Sequence, residues 1–293
     1  MYSFKYISAS IIFVGGTALF TSAVLFAREL QEIRVNPAPK YNLMRGEAKK
    51  LRRIVMKKIV RSLVISLLLS GVRLYASPST QIWNPSTDIQ ATKTFHLNID
   101  NYVNDTMDQY FFGVEYGLFK NFELGFDINE NQYSNLPQAN QYPLYFNGKY
   151  ALPEGTNTPA VAAGAEYLGT KSYVSNYDIC FALVAKTFGK VGRLTVGGYE
   201  GNGSLLLDEK GNSANTGAIL TWDKNITDKI WACVDYASGK SWYGTLSLGG
   251  SYAFSSNTSV IFAYVIPNNY NVSPFGNTVP MQNMFTTQLD INF

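Results

Sequence analysis

The chain has 293 residues, of which 46% are hydrophobic, 14% aromatic and only 15% charged, whereas a soluble globular chain carries about 25% charged residues. That balance excludes a disordered chain, a coiled coil and a polytopic helical membrane protein, and one His with two Cys leaves no His- or Cys-rich metal site. The formal charge of +3 joins unlike pieces, +10 over residues 1–76 and −7 over 77–293, so the basic total does not imply a nucleic-acid partner.

Residues 1–55 read as an over-extended N-terminus. Arg52-Arg53 can be encoded as a ribosome-binding sequence just before Met56, which makes Met56 the expected start. The alternative is a helical anchor, since residues 7–27 are apolar and long enough to span a bilayer. Residues 56–76 have the layout of a secretory signal peptide: the basic Met56-Lys57-Lys58 start, the apolar run 63–72, and the small-residue site Leu74-Tyr75-Ala76. The apolar run is too short to cross a membrane, which needs roughly 20 residues. Residues 77–92 are expected to be a periplasmic lead-in.

From residue 93 the hydrophobic period is two. Phe95, Leu97 and Ile99 alternate with His96, Asn98 and Asp100; Phe122, Leu124, Phe126 and Ile128 alternate with Glu123, Gly125, Asp127 and Asn129. Turn signals divide 93–293 into about twelve strands, within a range of ten to fourteen: 93–103, 109–119, 121–130, 143–152, 159–168, 177–188, 193–202, 214–223, 229–238, 243–254, 258–267 and 283–293. Each matches the roughly 9–11 residues of a tilted transmembrane strand. Connections alternate between mostly long and mostly short, the pattern of long outer loops and short periplasmic turns. Tyr and Phe cluster near strand ends, as in an aromatic girdle. The expected fold is all-β, a transmembrane antiparallel up-and-down barrel in which closure pairs every backbone group.

The last strand, FTTQLDINF, alternates Phe285, Leu289 and Ile291 with polar residues and ends on Phe293. It resembles the sorting signal of Gram-negative outer-membrane β-barrels, and the chain as a whole resembles porin-like outer-membrane proteins. The resemblance implies a place in the bacterial cell outer membrane, with membrane lipid, lipopolysaccharide and the barrel-assembly machinery as partners. It carries no substrate.

Chemistry is sparse. His96 sits among lumen-side polar residues, and Asp100 points the same way but lies about 13 Å along the strand, beyond direct bonding. Neither a G-x-S-x-G elbow nor a phosphate-cradling glycine loop is present. Hence no catalytic residue, metal or cofactor is assigned. Cys180 and Cys233 are expected as unpaired, inward-facing residues on non-adjacent strands. The inward set is His96, Asp100, Glu115, Glu123, Asp127, Lys149, Glu166, Asp178, Lys186, Arg193, Asp235 and Asp290, in which acids outnumber bases. The expected function is a narrow passive channel for ions or small solutes with a weak cation preference. Alternatives are a closed structural or surface-interaction barrel, whose lumen charges zip shut in pairs, and, third, an outer-membrane hydrolase.

Overall fold

Strands with one apolar and one polar face need a sheet whose two sides meet different surroundings. A computed structural model supplies one, describing residues 79–105, 108–131, 144–272 and 279–293. The expectations for residues 1–55 and 56–76 lie outside these. The strands are β1 (Phe95–Val103), β2 (Asp108–Phe119), β3 (Phe122–Asn131), β4 (Leu144–Leu152), β5 (Ala160–Gly169), β6 (Ile179–Phe188) and β7 (Gly192–Glu200). They continue with β8 (Thr216–Asn225), β9 (Ile230–Ala237), β10 (Thr245–Ala253), β11 (Thr258–Pro267), β12 (Asn271–Val272), β13 (Val279–Pro280) and β14 (Met284–Asn292). Twelve of them close an antiparallel barrel in the order β1-β14-β11-β10-β9-β8-β7-β6-β5-β4-β3-β2. The pair β12 and β13 is a small hairpin within the connection to β14.

Closure runs along the whole of β1, from His96 opposite Asn292 to Val103 opposite Phe285. Reciprocal backbone bonds between Phe95 and Phe293, 2.7 and 2.9 Å, finish the seam. Register therefore sets the faces. On β3, Glu123 is buried and Leu124 is 44% exposed. Outward positions elsewhere include Val161, Val184, Val196, Leu220, Leu248, Phe262 and Phe285, all exposed. Phe119 and Phe122 stack at 4.8 Å beside a short turn, at the end that also carries Tyr150, Phe188 and Phe254. An apolar exterior edged by aromatics is the surface a bilayer requires.

β6 differs from expectation. Ile179, Phe181, Leu183 and Ala185 face inward, and Cys180, Ala182 and Val184 face out. Cys180 is thus exposed and only Cys233 is buried; both are free. Apolar side chains occupy both faces of this strand, so alternation alone could not choose between them. The inward choice is decided by packing against Ala162, Tyr199, Ile219 and Tyr243 in an apolar cluster.

Two outcomes follow from these faces. Leu124→Arg should lower stability in a bilayer-refolding titration, but by less than the roughly 2–4 kcal/mol that Arg costs at the bilayer midplane, because Leu124 lies only two residues from the aromatic edge at Phe122. In detergent, Cys180 should react with a small thiol reagent in the folded state, whereas Cys233 should react only after unfolding.

Candidate functional site: the barrel lumen

The lumen is occupied by the chain's own N-terminal stretch. Of residues 77–92, expected to be a periplasmic lead-in, the stretch 81–90 runs inside the barrel, where Gln81, Ile82, Asn84, Ser86, Thr87 and Gln90 are buried. The reason is a set of wall groups that satisfy the segment's backbone. Asp235, fully buried on β9, accepts the backbone N–H of Ile82 at 3.3 Å and those of Trp83 and Asn84 at 2.9 Å. Its other oxygen accepts Asn84 Nδ2 at 2.7 Å and the Thr221 hydroxyl at 2.9 Å. From the facing wall, Gln288 Nε2 and the Tyr102 hydroxyl donate to the Ile82 carbonyl at 2.7 and 3.3 Å, and Lys149 Nζ donates to the Ser79 carbonyl at 2.8 Å. A buried polar backbone needs such partners.

Nearer the short turns, Arg193 holds Asp88 with two bonds of 2.6 and 2.8 Å while its Nε reaches Asp223 at 2.9 Å. Glu123 accepts the Gln90 N–H at 2.6 Å and the Ser79 hydroxyl at 2.6 Å, and pairs with Lys149 at 3.1 Å. The segment leaves the lumen over Gly117. A Cβ there would lie 2.0 Å from the Ala91 carbonyl oxygen, so this close approach requires glycine. At the other end Trp83 donates to the Tyr243 carbonyl at 3.1 Å and meets Tyr102 and Trp242 edge-on at 5.4 and 6.1 Å.

Beside the segment a cavity of about 90 Å³ remains, lined among others by His96, Asp100, Glu115, Asp127, Glu166 and Asp290. At about 10–15 Å³ per water, it has room for a small water cluster. His96 Nδ1 lies 3.1 Å from Asn292 Oδ1, and its Nε2 lies 3.2 Å from Asp290 Oδ1. Glu166 accepts the Tyr243 hydroxyl at 2.7 Å. Asp127 accepts Asn147 Nδ2 at 2.8 Å. Elsewhere the wall also carries apolar groups, with Ile179, Leu183, Ile219, Ile261 and Val265 all buried. The lumen therefore gathers acids on β1–β3 and β14, while its remaining wall mixes apolar groups with buried polar ones such as Thr221, Asp223 and Asp235.

Two of the inward charges lie elsewhere. Asp178 precedes β6 in a long connection with a positive φ of 48°, accepting Asn176 Nδ2 at 3.0 Å. Lys186 shares the outward face with its neighbour Leu194 and caps the short turn after β4, bonding the Gly155 carbonyl at 3.0 Å and Glu154 at 2.9 Å. The Thr187 N–H, Lys186 and the Thr187 hydroxyl together hold the Glu154 carboxyl down at about 2. Both displacements follow from the reversed face of β6. Asp223, buried on β8, is the lumen acid the sequence reading missed; its alternation with Leu220, Trp222 and Lys224 was the available signal. Of the C-terminal set, Phe285 is exposed, Leu289 half-buried and Ile291 buried between Leu97 and Thr258, and Phe293 stacks on Phe95 at 6.0 Å.

No family model matches the chain, and no curated protein matches its sequence. Among solved structures it is similar to an outer membrane channel from Pseudomonas putida F1, at 9% identity over 68% of this chain and 94% of that one, with a TM-score of 0.41. The NanC porin is similar at 9% identity, over 68% of this chain and 98% of that one, with a TM-score of 0.43. A mutant of Rh. blastica porin aligns at 14% identity over 64% and 56%, with a TM-score of 0.31. The likeness is one of barrel fold alone.

The Asp235 contacts generate a test of the inner segment. Asp235→Ala leaves several buried donors without an acceptor, each at a cost of about 1–3 kcal/mol. Residues 79–92 should then become cleavable by protease in barrels that keep their heat-modifiable mobility, whereas the segment of the wild type stays protected.

Proposed function

We propose that the chain is a bacterial outer-membrane channel for ions or small solutes, narrowed by its own residues 79–92. The observation that carries this reading is the pairing of an apolar exterior with an interior cavity walled by charged groups. A barrel serving only as a membrane-embedded support has no need of so many carboxyl groups inside it, and burying them is costly. The acid excess among Asp100, Glu115, Asp127, Glu166, Asp235 and Asp290, against Lys149 and Arg193, supports a cation preference. His96 is engaged by Asp290 and Asn292, which supports a role in the lumen wall rather than in hydrolysis. Assembly through the Phe293 signal, after removal of residues 56–76, belongs to the same reading.

A second reading, the closed structural barrel, is favoured by one observation: the many wall groups that hold the inner segment. Planar-bilayer recording separates the two. Folded wild type should give small conductance steps, and deletion of residues 79–90 should raise them several-fold. Under a salt gradient the reversal potential should show cation preference, reduced in Asp127→Asn. Silence from both the wild type and the deletion would establish the closed barrel instead.

A further inference from the structure

Among the described residues, four buried side-chain oxygens around the cavity have no hydrogen-bond partner: Asn98 Oδ1, Asp100 Oδ1, Glu115 Oε2 and Asp290 Oδ2. They come from the adjacent strands β1, β2 and β14, where Asn98 lies opposite both Gly113 and Asp290, and His96 opposite Glu115. All four are acceptors. Glu115 and Asp290 are 7% and 4% exposed. Gly113 keeps the place open, since a Cβ there would fall 2.0 Å from Asn98 Oδ1 and 2.2 Å from Asp127 Oδ1. The missing partner must therefore bring positive charge or donors, and among the described residues the cations nearest the cavity are committed elsewhere. Lys149 is taken by Glu123 and the Ser79 carbonyl, and Arg193 by Asp88 and Asp223. Four acids, Asp100, Glu115, Asp127 and Asp290, face one imidazole, so without a cation the cluster avoids uncompensated buried charge only by taking up protons. Buried charge of one sign without compensation is strongly unfavourable.

We propose that this cavity is a binding site for a hydrated divalent cation of the hard, oxygen-seeking class, such as Ca²⁺ or Mg²⁺. The available acceptors are all oxygen, which selects that class over softer metals. Among the described residues, no three carboxylates or imidazoles come close enough to ligate one ion together. The cation therefore keeps most of its water shell and meets the carboxylates largely through it, for which the cavity has room. Binding does not depend on conduction: a barrel that never opens holds the ion equally, and a barrel that binds no divalent ion can still conduct.

The test uses the full chain, folded in detergent and stripped with EDTA, titrated calorimetrically with CaCl₂ or MgCl₂ in excess KCl. Wild type should show one saturable event, and the divalent ion should raise the temperature of heat modification. Glu115→Gln and Asp290→Asn should each weaken binding by about tenfold or more, whereas Glu154→Gln, at the turn, should bind as wild type does. The site is overturned if folded wild type shows no saturable binding, if both lumen variants bind as well as wild type, or if KCl alone gives the same stabilisation. Should a lumen variant not fold, the wild type decides alone: an unfolding temperature unchanged by EDTA rejects the site.

Discussion

A sheet in hydrocarbon has no water to satisfy an unpaired edge, so the pairing of β1 with β14 is the contact on which the rest depends. Without it, both strands would expose a row of N–H and C=O groups to lipid. With it, every wall strand has two neighbours, and a single register fixes which residues meet lipid and which face inward. Leu124 reaches the outside because Glu123 and Asp127 are held inside, and the same parity carries His96, Glu115 and Asp290 into one cluster. The site is a product of the closure.

Strand number, strand bounds and the alternation of long and short connections were legible because each polar–apolar repeat marks a half-buried strand. Legibility failed where one face of the lumen turned out to be apolar. On β6, Ile179, Leu183 and Ala185 inside are matched by Ala182 and Val184 outside, leaving no polar residue to mark the inner side. A lumen filled by side chains and a peptide segment asks for packing at some positions and hydrogen bonds at others, and only strands with polar inner positions can be read by periodicity. The inner segment was illegible for a different reason. Residues 79–92 show no regular period, and what holds them is a set of single polar residues on distant strands. Asp235 looks like any inward acid until the backbone it binds is placed beside it.

The mixture of polar and apolar groups around the lumen also explains how a segment without regular structure can lie inside. Its carbonyls and N–H groups turn toward Asp235, Gln288, Tyr102 and Lys149, while Ile82 joins an apolar cluster with Phe111, Cys233 and Ile261. Recognition falls mainly on the main chain, with side chains such as Asp88 and Trp83 fixing the ends.

The separations along the chain turn this arrangement into a matter of timing. Asn84 is 151 residues from Asp235, and Ile82 is 206 from Gln288. Contacts of such long range form late, since the loop between partners must first be organised. Gln288 lies on β14, the last strand made and the one that completes the wall. A growing barrel therefore has its interior unsealed until its final strand is seated, and the wall and its occupant reach their finished state together.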